Sequence, residues 1–263
     1  MIINASSSIS GNTHTGSLNN ISEQMTSGQK INRSADNAAG QAVITELTKQ
    51  ANSQNIATQN ANTGISLLQT IDGASTKISE NLLRLGELAT QALNGTLNSQ
   101  QRSMLNQEFQ QNLAGIQQIS TTTEFNGQQL LDGSNTTIDI ALDESSISLN
   151  LTNFTTDGLA IDELSISNQS DALNALNGIT NAIDQLSTQR SEFGAQQNGL
   201  TSSIENIQNQ NYNANRAISQ INDTNYARAL TDQVRLTVLQ DSAIAMQAQQ
   251  NQSRSSVLQL LNS

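Results

Sequence analysis

Residues 176–221 read LNGITNAIDQLSTQRSEFGAQQNGLTSSIENIQNQNYNANRAISQI. Alternating steps of three and four pick out Leu176, Ile179, Ile183, Leu186, Arg190, Phe193, Gln197, Leu200, Ile204, Ile207, Asn211, Ala214, Ile218 and Ile221. Only Arg190, Gln197 and Asn211 break the apolar run. A period of 3.5 held this long predicts one helix of a coiled coil. At about 1.5 Å per residue such a helix is on the order of 70 Å long. No compact domain needs that length, so the rest of the chain has to supply a partner for it.

The composition bounds what the partner can be. Of 263 residues only 2% are aromatic, Trp is absent, and Asn, Gln, Ser and Thr are abundant. A thick core is out of reach, but thin bundles with aliphatic seams are not. Proline, the commonest helix breaker, is absent, which suits long uninterrupted helices. Net charge is −11, which disfavours nucleic acid and anionic lipid as partners and serves solubility. There is no cysteine, hence no disulfide framework and no thiolate site. MIINASSSIS at the start lacks a basic region followed by an apolar one, so it does not read as a cleaved secretory signal. No apolar run approaches the roughly 18 residues that a membrane-spanning helix needs.

Outward from the long heptad run, a second helix is predicted over residues 41–94. Its seam comprises Ala61, Ile65, Leu68, Ser75, Ile78, Leu82, Leu85, Ala89 and Ala92. Gly64 and Gly73 weaken it by about 1 kcal/mol each, against roughly 1.5–3 kcal/mol for each buried Leu or Ile. A third helix spans residues 100–121, with Leu105, Phe109, Leu113, Ile116 and Ile119 on its apolar side. Short loops make these helices antiparallel neighbours, and the long run is expected to pair with residues 60–92.

The period then changes to two. Ile138, Ile140 and Leu142 alternate with polar residues, as do Ile147, Leu149 and Leu151 beyond a loop at 143–146. This predicts a β-hairpin, too small to stand alone and therefore laid on the helices. Leu159, Ile161, Leu164 and Ile166 return the chain to the bundle, with Ser170 or Asp171 as the cap of the long helix.

At the ends, Leu18, Ile21 and Met25 have helical spacing before Ser27-Gly28, and Asp36 or Asn37 is placed to cap the second helix. After Ile221 the heptad phase breaks at Asn222-Asp223-Thr224-Asn225. The segment 227–261 is apolar on more than one face: Leu230, Val234, Val238, Ala245 and Ala248 on one, Leu236, Leu239, Ala243 and Met246 on another. A helix apolar over a wide arc must be buried over a wide arc. One N-terminal partner helix cannot do that, so other copies of the chain are expected to.

The residues spell out no catalytic, cofactor or metal site. His14 is the single histidine, so one chain builds neither a His-based triad nor a two-His metal site. No phosphate-binding glycine motif occurs. Asp132, Asp139, Asp143 and Glu144 cluster near the hairpin without a calcium-loop pattern, and the other carboxylates have the spacing of solvated helix faces.

Several stretches carry a family resemblance. Residues 22–44, S-E-Q-M-T-S-G-Q-K-I-N-R-S-A-D-N-A-A-G-Q-A-V-I, resemble the N-terminal signature of bacterial flagellins. So do N-A-N-T-G-I-S at 60–66, L-L-R-L-G-E-L-A-T-Q at 82–91 and F-N-G at 125–127 followed by Leu130-Leu131. At the other end, I-N-D-T-N-Y-A at 221–227 and V-L-Q-L-L at 257–261 are similar to the family's C-terminal motifs. Asn37, Gln29 and Asn225 depart from the usual residues, as do Arg254 and Ser255 where many members carry a proline.

The resemblance implies a mainly α fold: an elongated antiparallel coiled-coil bundle with a small β-hairpin region, its terminal helices paired into an inner layer on polymerisation. It implies an inner domain at 1–40 and 222–263, a helical rod at 41–131 and 171–221, and the hairpin region at 132–170 with no separate outer domain. The implied function is a structural subunit of the flagellar filament, not an enzyme, with a hook–filament junction protein as the alternative. Inner-layer contacts fall to Leu18, Ile21, Met25, Leu230, Val234, Val238, Val257, Leu258, Leu260 and Leu261. Arg84, Leu88, Gln91 and Glu108 match positions read by the flagellin-sensing Toll-like receptor of animals, although Gly86 replaces a usual basic residue. Packing between rods is the other role open to these four. The implied partners are further copies of the chain, an export chaperone, a filament cap and hook-associated proteins, with no cofactor, no nucleic acid and no membrane insertion. The implied location is extracellular, reached by flagellar type III export without a cleaved signal.

Overall fold

The computed structural model describes the backbone of residues 3–261 and the side chains of residues 15–257, Glu144 excepted in both. Among them the order is α1 (Ile3–Ser27), α2 (Ala38–Ala92), α3 (Ser99–Thr122), β1 (Glu124–Phe125), β2 (Gln128–Gln129), β3 (Thr137–Leu142), β4 (Ser145–Asn150), α4 (Gln169–Asn222) and α5 (Tyr226–Leu261). The chain forms two compact units, residues 52–211 and residues 1–51 with 212–263.

Within 52–211 the seam of α2 keeps a strict alternation of threes and fours. Gln54, Ala57, Ala61, Gly64, Leu68, Ile71, Ser75, Ile78, Leu82, Leu85, Ala89 and Ala92 are all buried. Gly64 belongs to this seam for a steric reason. A Cβ there would come within 3.1 Å of Ile140 on β3 and 3.2 Å of Leu200 on α4. The missing side chain lets hairpin and helix both close on α2.

The heptads of α4 are not equivalent. Ile179, Leu186, Phe193, Leu200 and Ile207, seven residues apart, are buried, whereas Leu176, Ile183, Arg190, Gln197 and Ile204 are half-buried. The polar interruptions all fall on the half-covered register, where a charge or amide keeps access to water. There Arg190 Nε donates to Asp72 Oδ1 at 2.9 Å, and Asn211 Nδ2 to Asn55 Oδ1 at 3.3 Å. As α4 runs from 190 to 211 its partners on α2 run back from 72 to 55, the antiparallel arrangement that the sequence predicts.

Helix α3 begins with a capping box between Asn98 and Gln101, which satisfies two otherwise unpaired donors. It buries Phe109, Leu113, Ile116 and Ser120. The β3–β4 hairpin is antiparallel, with Ile138 opposite Leu149 and Ile140 opposite Ile147. Its second strand already starts at Ser145, so the turn is tighter than the 143–146 loop expected. It lies on the helices: Asn60 Nδ2 donates to the Ala141 carbonyl at 3.0 Å and Ser53 Oγ to Asp143 Oδ1 at 2.6 Å. Beyond it Phe154, Leu159, Ile161 and Ile166 are buried, with the Phe154 ring edge-on to Phe193 at 6.3 Å. The cap of α4 is Asn168, whose Oδ1 accepts from the Asp171 amide at 2.9 Å, rather than Ser170 or Asp171. An amide oxygen two residues ahead of Ser170 reaches that exposed donor first.

Candidate assembly interface

In the unit made of 1–51 and 212–263, the phase break after Ile221 becomes a built joint. Helix α1 ends at Ser27, and Gly28 follows with φ +73°, the left-handed conformation that glycine adopts without a Cβ penalty. Its amide bonds back to the Gln24 carbonyl at 3.0 Å. The turn is stitched to the break between α4 and α5: Lys30 N donates to the Asn222 carbonyl at 2.5 Å and Thr224 N to the Gly28 carbonyl at 3.0 Å. Tyr226 at the start of α5 donates its hydroxyl to the Met25 carbonyl at 2.9 Å. Asp36 and Asn37 divide the two roles open to them. Asp36 Oδ2 accepts from the Asn32 and Arg33 amides, while Asn37 Oδ1 accepts from Gly40 N at 2.9 Å and caps α2. Arg33 forks onto both oxygens of Glu23. That hydrogen bonding, with the carboxylate's charge, pushes the guanidinium pKa further up.

From this joint α5 packs along α1. On α5, Ala229 is buried and Asp232, Gln233, Leu236, Gln240 and Ala243 are half-buried. On α1, Leu18, Ile21 and Met25 are half-buried. Among the described residues, the remaining apolar side chains of α5 are uncovered. Leu230, Val234 and Val238 are 52–57% exposed, and Leu239, Ile244, Met246 and Val257 are similarly bare. One helical partner therefore satisfies only one of the apolar faces of α5. The side chains of Leu258, Leu260 and Leu261 lie outside the described residues.

The second cluster sits in the other unit. Arg84 donates from Nε and Nη2 to Glu108 Oε1 and from Nη1 to Glu87 Oε2, ties that raise its pKa, Glu108 contributing most. Arg84 and Gln91 are exposed on α2, and Glu108 is half-buried on α3. Leu88 is fully buried, so it has no surface to offer a partner. Among the described residues no group of three or more His, Cys, Asp or Glu could hold a metal ion, and no helix is long and apolar enough to cross a membrane.

Residues 1–136 match the bacterial flagellin N-terminal helical region, and residues 176–261 match the bacterial flagellin C-terminal helical region. This chain belongs to the bacterial flagellin family. A flagellin of Halalkalibacterium halodurans is 36% identical over 244 residues, covering 91% of this chain and 90% of the relative. A flagellin of Bacillus subtilis is 32% identical, covering 91% of each chain. Among solved structures, Bacillus cereus flagellin aligns with TM-score 0.52 at 32% identity, over 57% of this chain and 88% of that one. A putative flagellar hook-associated protein from Vibrio parahaemolyticus shares the fold with TM-score 0.62 at 12% identity, over 72% of this chain and all of that one.

Proposed function

We propose that this flagellin is a structural subunit that self-assembles into the bacterial flagellar filament. The observation that carries the reading is the bare apolar surface that α5 keeps, among the described residues, while packed along α1. Burying a Val or Leu is worth roughly 1.5–3 kcal/mol, so repeating these faces along a polymer is a strong drive to assemble. In this reading residues 1–40 and 222–263 form the inner layer. Residues 41–131 and 171–221 form the rod, with the hairpin region 132–170 upon it. Leu18, Ile21, Met25, Leu230, Val234, Val238, Val257, Leu258, Leu260 and Leu261 are the inner-layer contacts.

The role is mechanical and not enzymatic. Its setting is extracellular, after type III export without cleavage. A helix with such faces needs cover before export, so a cytoplasmic chaperone on α5 belongs to the same proposal, with a cap and hook-associated proteins at the filament ends. Arg84, Gln91 and Glu108 serve contacts between rods and, in an animal host, recognition by the flagellin-sensing Toll-like receptor. The buried Leu88 and the missing basic residue at Gly86 weigh against the second role. The fold likeness to a hook-associated protein keeps a junction role as the competing reading, but identity to flagellins across both ends favours the filament.

The test is assembly of purified protein on salting out or seeding, followed by electron microscopy. Val234→Asp places a charge on a bare face of α5 and is expected to abolish filaments while leaving urea unfolding unchanged. Leu260→Asp is expected to do the same. A wild-type protein that stays monomeric, or normal filaments from Val234→Asp, would sink the proposal.

A further inference from the structure

Unit 52–211 has an open groove of about 530 Å³ between α2 and α4, lined by Leu83, Gly86, Leu176, Ile179 and Ile183, with Glu87 and Gln91 among its polar edges. Position 86 adds no side chain to it. A Cβ there would find only Ile179 Cγ2, at 3.8 Å. Leu83 on its wall is 56% exposed. On the other side of the bundle α3 presents a bare apolar side chain, Met104, also 56% exposed. Met104 precedes Phe109 by five residues and Leu113 by nine, so at about 100° per residue it points away from the face that α3 buries. Helix α3 meets α2 on the side of Arg84. Leu83, Gly86 and Thr90 lie about 100–160° around α2 from there.

We propose that this groove is the socket for Met104 of a second copy of the chain. Knob and socket stand at one level of the bundle, because Arg84 bonds Glu108 across α2 and α3 and so sets residues 83–90 beside residues 102–109. They face opposite ways, so the contact is heterologous. Each copy gives its knob to one neighbour and takes a knob from another, a pattern that runs on into a ring or a helix. Methionine suits the role, since an unbranched thioether adapts to a shallow apolar slot. The other bare apolar residue on α2 in this unit, Ile56, lies 27 residues before Leu83, about 40 Å along the helix. Its use would demand a large axial offset between copies. The proposal rests on the filament reading and names one lateral contact within it.

The chain has no cysteine, so introduced thiols report without background. Met104→Cys and Thr180→Cys chains, Thr180 being exposed on the groove, are mixed, assembled and oxidised. Bridging needs the two Cα atoms within about 7 Å. A disulfide joining the two variants, much faster than one joining Ile56→Cys to Thr180→Cys, is the expected result. Wild-type filaments with no 104-to-180 disulfide, or with a faster 56-to-180 one, would overturn the socket and leave the filament reading intact. Absence of wild-type filaments would overturn both. Independently, Gly86→Leu fills the groove; it should preserve the urea midpoint and raise the critical concentration about tenfold. An unchanged critical concentration counts against the socket.

Discussion

Gly64 shows what a single missing side chain can decide. In the sequence it looks like a weak point in a helix, yet it is the place where β3 and α4 both touch α2. Gly64→Val should lower stability by about 1–3 kcal/mol through overpacking, read as a lower urea midpoint, despite valine's better helix propensity. An unchanged midpoint would mean that Ile140 and Leu200 give way freely. Leu88 teaches a related lesson. Its neighbours on the seam, Leu85 and Ala89, are legible from one helix's period, but Leu88 is buried outside that seam, and periodicity does not count partners. Leu88→Ala should cost about 2–5 kcal/mol, whereas Gln91→Ala, one turn on and exposed, should stay within about 0.5 kcal/mol. Asp132 adds a pH signature. Its carboxylate accepts from the hydroxyl and amide of Ser134, which holds its pKa below the ordinary carboxylate range. Because the folded pKa lies below the unfolded one, the turn's contribution is present above the unfolded pKa. It is lost as pH falls through the folded one. Nuclear magnetic resonance of the Ser134 amide should follow that titration, and Asp132→Asn should abolish it.

At the scale of elements, the run of threes and fours in α4 identified the helix and its antiparallel partner, because period and length are local properties. Which register of the heptad is deeply buried was not legible. That depends on where the third helix and the hairpin sit, and those are set by chain segments far away in sequence. The short β1–β2 pairing around Asn126-Gly127 and the capping of α4 by Asn168 are similarly products of local geometry that composition underdetermines. The seam itself makes a sharp prediction at Gly73, which is exposed with open space around it. Gly73→Ala should stabilise the unit by roughly 0.5–1 kcal/mol, because glycine is costly inside a helix. Deleting Gly73 should instead abolish cooperative unfolding. It rotates Ile78, Leu82 and Leu85 by about 100° out of the seam. Comparable thermal transitions for the two variants would show that the seam does not hold the unit together.

At the scale of the whole molecule, the main buried core lies in one unit and the bare faces of α5 lie in the other. Residues 52–211 hold the main apolar core, and a fragment of that span should unfold cooperatively by itself in urea. A fragment that stays unfolded would show that the core depends on the terminal segments. Helix α5 carries Arg228, Arg235 and Arg254 among bare apolar faces, and trypsin should cut the dilute subunit there first. The same bonds should resist in filaments, where neighbours cover them; equal cleavage in both states would contradict burial of α5 by assembly. The family was legible from motifs at both ends of the chain. The groove at Gly86 was not, because a groove is made by what two helices leave open together, and neither stretch of sequence shows the other's contour.

The α2 seam has one more consequence. A straight α-helix drifts about 20° per heptad from a 3.5-residue repeat. From Gln54 to Ala92 the seam passes through some five heptads, so a straight pair would turn its apolar stripe by roughly 100° away from its partner. A seven-residue repeat kept this strictly predicts a left-handed winding of α2 with the elements that cover it. That handedness would be set within one chain. For a molecule wound this way, a torque that tightens the winding and one that loosens it are different loads.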